Sequence, residues 1–128
     1  MPNGPSLGDV RQLDIWRVYW NHPDGTGKPR PALAVSTTAQ SVAAGYATFL
    51  YITSQDHPEV PCRLQISASE PLFPHTGLDS TSWVHFLDDQ KITEACLRER
   101  LGKIDAFRAA YLKLRLAKLI PPPGPATA

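Results

Sequence analysis

Lys28-Pro29-Arg30-Pro31-Ala32-Leu33-Ala34-Val35-Ser36 sets an arginine between two prolines at the head of a short apolar run. Proline fixes its own φ and drives the residue before it toward extended geometry. Arg30 follows one proline and precedes another, so its backbone has little freedom. Ala32 to Ser36 then reads as a short, buried strand. Two readings of Arg30 stand side by side. It is a solvated arginine at a strand start, or a rigid, always-charged guanidinium placed to grip a phosphate or carboxylate.

The flanking sequence has the same character. Leu13 to Trp20 is rich in β-branched and aromatic residues and predicts a strand, followed by a turn-rich loop from Asn21 to Gly27. Tyr46 to Thr53 predicts a third strand, Arg63 to Ile66 an edge strand, and Ser82 to Leu87 another. Residues 67–80, with two prolines and Gly77, read as loop. Helices are expected only at the end. Thr93 caps a short one from Glu94 to Leu101, stopped by Gly102. Asp105 caps the last, from Ala106 to about Leu119, which three prolines end. Strands followed by helices predict a mostly β (α+β) domain built on a small barrel. The organisation expected is a flexible leader over 1–12, one domain over 13–120 and a proline-rich disordered tail over 121–128.

Composition narrows the function classes. The 128 residues suffice for one domain with a real core, and 42% are hydrophobic. The net charge of +1 excludes a globally basic nucleic-acid binder, so any such role needs a local patch. Residues 98–118 carry seven Lys/Arg and are the patch expected. Cys62 and Cys96 have no metal-like spacing and read as buried thiols in a reducing compartment. No stretch has the pattern of a signal peptide or a membrane span, so the expectation is a cytoplasmic protein with no membrane partner.

In chain order, Asp14-Ile15-Trp16, the loop Gly25 to Gly27, Arg30-Pro31-Ala32-Leu33-Ala34-Val35-Ser36, Ile52-Thr53-Ser54, Ser82-Trp83-Val84 and Arg100-Leu101-Gly102-Lys103-Ile104 resemble the MazF/PemK toxin family of type II toxin–antitoxin systems. The resemblance implies an SH3-like barrel with a short helix and a C-terminal α-helix, a homodimer, and a cognate antitoxin protein as partner. It implies an endoribonuclease that cuts single-stranded RNA without metal or other cofactor. The family's arginine falls on Arg30 and its active-site threonine on Thr53, with Ser54 beside it. A further basic residue and a carboxylate of some members fall on His85 and on Asp88 or Asp89. The chain departs from the family in three ways. Leu13 replaces a glycine, His85 stands where arginine is commoner, and the later strand has one extra residue.

The chemistry follows from residue types as well. RNA is cut without metal when its 2′-hydroxyl attacks the adjacent phosphate. That needs a base, an acid for the leaving oxygen, and cationic stabilisation of the phosphorane. Arg30 and Thr53 can hold the phosphate. His85 or His22 can act as acid or base, because histidine titrates near neutrality. Asp88 or Asp89 can orient that histidine or act as a base. Trp20, bordering the loop, is the expected stacking platform for a base, with His22, Lys28 and Ser54 as further RNA contacts. Each residue also has a structural reading: Thr53 as a β-former, His85 as a solvent-facing strand residue, Asp88-Asp89 as a turn. The alternatives for the whole chain are a non-catalytic module of the same fold that grips gyrase or another protein, and an RNA binder acting through 98–118.

Overall fold

In the computed structural model, which describes residues 4–22, 24–106 and 108–112, six strands form one antiparallel sheet. They are β1 (Asp14–Asn21), β2 (Gly27–Ala34), β3 (Ala47–Thr53), β4 (Arg63–Ile66), β5 (Ser82–Ile92) and β6 (Leu97–Lys103). Their spatial order is β4-β5-β3-β2-β1-β6. The mostly β architecture agrees with the sequence reading.

Successive strand side chains point to opposite faces, and the central strands are apolar on both. Leu50 and Ile52 therefore enter one core with Ile15, Leu33, Ile66 and Val84. Ala47 and Phe49 enter a second with Trp16, Val18, Trp20, Ala32 and Ala34, and half-buried Tyr51 packs on it. Ala32 lies directly across from Trp16, a small residue facing a large one. The sheet curls toward the second core. The Gln90 side-chain amide on β5 accepts the Asn21 backbone N–H at 3.3 Å and donates to the Asn21 carbonyl on β1. Two strands separate β5 from β1 in the sheet, so this amide bridges the curl as a neighbouring strand would.

The proline-flanked arginine lies inside β2, which begins at Gly27 rather than at Ala32. From Gly27 to Pro31 this strand pairs with β1 alone; its pairing with β3 starts at Ala32. Proline has no N–H to give, and a one-sided stretch is where a sheet tolerates it.

Three expectations are corrected. First, helices are not confined to the end: α1 (Thr38–Ala44) lies between β2 and β3. Thr37 caps it, accepting the Gln40 N–H at 3.1 Å while the Gln40 side chain accepts the Thr37 N–H at 2.8 Å. Gly45 ends it at φ 83. Second, Glu94–Leu101 is not a helix. Glu94–Cys96 is a single 3-10 turn and Leu97–Lys103 is β6. The outer edge of β1 needs hydrogen-bond partners, and that tertiary demand overrides helix propensity in Leu97-Arg98-Glu99-Arg100. Ion pairs accompany this pairing: Arg17 with its cross-strand partner Glu99, and Arg100 with buried Asp14 at 3.1 Å.

Third, the segment 1–12 is not a loose leader from Leu7 onward. Leu7–Asp9 forms a 3-10 turn, and Leu7 and Val10 sink into the second core. Leu13, which replaces a glycine of the family pattern, takes a left-handed φ of 71. That conformation costs a non-glycine residue about 1–2 kcal/mol. Burial of the leucine side chain, worth about 1.5–3 kcal/mol, offsets it.

The capping role of Asp105 holds: its carboxylate accepts the Arg108 N–H at 2.8 Å, and residues 108–112 are helical. The rest of that expected helix, its cations Lys113, Arg115 and Lys118, and the tail over 121–128 lie outside the described residues. Within the expected basic patch, Arg98 lies over the Tyr19 ring at 5.7 Å, Arg100 pairs with Asp14, and Arg108 pairs with Glu70 and with Asp105 at 2.8 Å. Those three charges are already engaged. Cys62 and Cys96 form no disulfide. No helix among the described residues is long and apolar enough to cross a membrane.

Gly102, expected as a helix stop, serves a different purpose. A Cβ there would stand 2.1 Å from the His75 carbonyl oxygen and 2.6 Å from the Thr76 carbonyl carbon. The backbone of β6 presses directly on the turn Phe73–Thr76. Gly102→Ala is expected to destabilise the fold by at least about 1–3 kcal/mol, the usual cost of overpacking. A lowered midpoint in urea denaturation at unchanged m-value checks this.

Candidate active site

Strand register gathers the candidate residues. Ala32 pairs with Tyr51, Tyr51 with His85, and His85 with Arg63, making one row across four strands. Thr53, two residues beyond Tyr51, pairs with Trp83. Arg30 lies two residues before Ala32 on β2, so the same antiparallel register puts it level with Thr53. Period-two alternation then places Arg30, Tyr51, Thr53, Arg63, Trp83 and His85 on one face of the sheet. Three residues expected from sequence to act together, Arg30, Thr53 and His85, share that face.

His85 is only 6% exposed. Its ring lies 5.6 Å from that of Tyr51 and 6.2 Å from that of His57, edge to face with each. Its Nε2 has no hydrogen-bond partner among the described residues, and neither does the buried Nε of half-buried Arg30. A buried polar atom without a partner is costly, and native structures keep few of them. Both atoms lie on the same face. Thr53 is 5% exposed; its Oγ1 accepts the Gln55 N–H at 3.1 Å, which leaves its own hydroxyl hydrogen to donate.

Burial holds the His85 imidazole below its ordinary value of 6.5; Asp88 pulls it up, while His57 and Arg63 push it further down. Loss of hydration in the cleft wall raises the Asp88 carboxyl above 3.8, against the pull of His85 and His22 and with a push from Asp89. At neutral pH His85 is thus held as a neutral imidazole able to accept a proton.

The two aspartates that sequence left open occupy different places. Leu50 pairs with Asp89, but the next residue, Tyr51, pairs with His85, so Phe86, Leu87 and Asp88 bulge out of β5 without partners on β3. Asp88 then lines a cleft of about 450 Å³ with Trp20, Asn21, His22, Tyr51 and Gln90. Asp89 does not line it. His22 is half-buried at the mouth of the β1–β2 loop, where its N–H donates to the Thr26 carbonyl at 2.7 Å. Lys28 is exposed across from Trp20, and Ser54 is exposed just beyond β3.

Trp20 is the misplaced expectation. It is 2% exposed and packed on Tyr51 at 5.4 Å, so it offers an edge to the cleft rather than an open stacking face. The half-buried rings on the site face are Tyr51 and Trp83; the Arg63 guanidinium lies over the latter at 5.8 Å and pairs with Asp56 at 2.5 Å. Sequence reasoning missed Tyr51, His57, Arg63 and Gln90 as site residues. For Tyr51 the signal was present, since it stands two positions before Thr53 on the same strand. For the other three no local pattern reports the long-range pairing that brings them in.

The structure is thus a curled antiparallel sheet that carries a cation, a hydroxyl and a neutral histidine on one face. A family model, described as PemK-like, MazF-like toxin of type II toxin–antitoxin system, matches residues 11–120. The chain belongs to that family. Solved structures share its fold at low identity. An endoribonuclease in complex with its cognate antitoxin from Mycobacterial species is 16% identical with a TM-score of 0.64, covering 91% of this chain and 99% of that one. MazE–MazF (Form III) from Deinococcus radiodurans is 19% identical with a TM-score of 0.60, covering 87% and 95%. MazF (Form I) from the same organism is 18% identical with a TM-score of 0.62, covering 87% and 96%. No individually curated protein matches the chain in sequence.

The depressed His85 titration has a stability consequence. Between the folded value and 6.5 the unfolded chain binds more protons than the folded one, so stability falls as pH drops through that window. The contribution of His85 is complete above 6.5. Asp88, with a raised folded value, contributes the opposite slope above 3.8. His85→Phe is expected to flatten the loss of stability below pH 6.5 relative to wild type, read from urea midpoints measured across pH.

Proposed function

We propose that the chain is the toxin of a type II toxin–antitoxin system, a metal-independent, sequence-selective endoribonuclease for single-stranded RNA. The 2′-hydroxyl of the RNA attacks its own phosphate. Arg30 presents its guanidinium to the non-bridging oxygens, and the Thr53 hydroxyl donates a further hydrogen bond. His85 Nε2 takes the hydroxyl proton, and Asp88, across the bulge, steadies the resulting imidazolium. His22, Lys28 and Ser54 contact the RNA strand, and the edge of Trp20 closes the cleft behind Tyr51. The proposed partners are a cognate antitoxin protein and a second copy of the chain, as a homodimer in the cytoplasm. Family membership and relatives solved as an endoribonuclease–antitoxin complex and as MazE–MazF support this assignment.

The observation that carries the reading is that Arg30 Nε and His85 Nε2, two of the three buried side-chain nitrogens without a partner among the described residues, lie on the face that also holds Thr53. A bound phosphate and ribose would satisfy them.

The test is cleavage of a mixed-sequence single-stranded RNA in EDTA by antitoxin-free protein. Wild type is expected to cut and leave cyclic-phosphate ends. Arg30→Ala is expected to lose about 10²–10³-fold, the scale for removing a charge-stabilising donor. A folded wild type that cuts no RNA across a broad sequence set would move the assignment to a protein-binding module.

A further inference from the structure

In-line cleavage moves two protons, one off the 2′-oxygen and one onto the departing 5′-oxygen. Arg30 is always protonated and cannot accept one, and a threonine hydroxyl near neutrality is neither a useful acid nor a useful base. Both transfers fall to titratable groups beside the row Tyr51–His85–Arg63. Those facing His85 are Asp88 on β5, Arg63 on β4, Tyr51 on β3, and His57 and Glu59 in the β3–β4 loop. His22 lies across the cleft and acts on Asp88.

Among these, His57 has the geometry of a second proton-transfer group. Its ring stands edge to face with His85, centroids 6.2 Å apart. Each proton-transfer nitrogen must come within about 2.6–3.2 Å of its own oxygen, and the attacking and leaving oxygens lie on opposite sides of phosphorus. Two imidazoles that flank one phosphate must therefore be neighbours without bonding each other. His57 Nδ1 is 3.3 Å from the Glu59 carboxylate, while the His57 side chain is 44% exposed. A carboxylate on Nδ1 orients the ring and leaves Nε2 for substrate, the arrangement by which acidic residues hold catalytic histidines. Burial gives His85 the opposite setting, without a carboxylate hydrogen bond and with Nε2 unpartnered.

We infer that His57 is the general acid of the reaction, paired with His85 as general base across the scissile phosphate, with Glu59 as its positioning residue. The inference rests on the ribonuclease reading above. The 2′-oxygen forms a bond to phosphorus as its proton passes to His85 Nε2. The bond from phosphorus to the 5′-oxygen breaks as His57 Nε2 delivers a proton to that oxygen. The products are a 2′,3′-cyclic phosphate and a free 5′-hydroxyl, with no oxidant or other reactant consumed. Where the family pattern more commonly has an arginine, this chain then runs the reaction on two histidines.

The experiment compares two substrates, an oligoribonucleotide carrying the site mapped with wild type and the same oligonucleotide with sulfur in place of the scissile 5′-oxygen. Sulfur leaves without protonation. His57→Gln is expected to cut the normal RNA about 10²–10⁴-fold more slowly, to cut the sulfur substrate within about tenfold of wild type, and to lose the alkaline limb of the pH–rate profile. Glu59→Gln should show the same substrate dependence with a smaller loss. His85→Gln should be impaired on both substrates. His57 lies in a half-exposed loop, and unchanged thermal unfolding of its variant checks that the fold is intact. Equal loss on both substrates, no loss at all, or sulfur rescue of His22→Gln instead of His57→Gln would overturn the assignment while leaving the ribonuclease intact. A wild type that cuts neither substrate sinks the ribonuclease reading and this inference with it.

Discussion

The antiparallel register of β2, β3 and β5 is the constraint on which the molecule turns. Because strand side chains alternate with a period of two, a slip of one residue anywhere in these ladders would carry Arg30, Thr53 or His85 to the opposite core. The register is pinned by apolar residues on both faces. Leu33, Leu50, Ile52 and Val84 need one core, and Ala32, Ala34, Ala47 and Phe49 need the other. The site face is thus the polar end of a surface whose remainder is hydrophobic core. The placement of its polar side chains depends on packing far from them.

Two departures from regular pairing turn that surface into a cleft. The unpaired Phe86, Leu87 and Asp88 push a carboxylate out of β5 beside His85, while Asp89 returns to the ladder. Gln90 then reaches across the curl to the backbone of Asn21, just before His22. One bulge and one side-chain amide thereby set the distance between the two walls. Loss of hydration moves buried His85 and the cleft-lining Asp88 in opposite directions from their ordinary values, the first down and the second up. Each change disfavours a charged form of its group.

Much of this was legible in the chain, and the failures share a cause. β1, β3 and the first part of β5 were readable because their β-branched and aromatic content matches their burial, and β4 from the weak alternation of Arg63 to Ile66. The arginine between prolines pointed to β2, though its start at Gly27 emerged only from pairing with β1. α1 was missed although Thr37-x-x-Gln40 is a capping box and Gly45 a suitable end, because seven residues are too few for a clear periodic signal. Glu94 to Leu101 failed in the other direction: a good local helix pattern was overruled by the unpaired edge of β1. Leu13 showed as a departure from the family pattern, but its left-handed backbone did not.

By itself the sequence determined that this is a small, mostly β domain and that Arg30 and Thr53 are the residues to watch. The first rests on local physics, the extended backbone that two prolines impose and the strand preference of β-branched and aromatic residues; the second rests on the family resemblance, which puts an arginine and a threonine of the family pattern at these two positions. Tertiary structure alone decided that Trp20 is buried rather than open, that Asp88 and not Asp89 lines the cleft, and that His57 stands beside His85. Each of these depends on which residues of distant strands lie opposite one another, a property of long-range pairing that no short window of sequence contains.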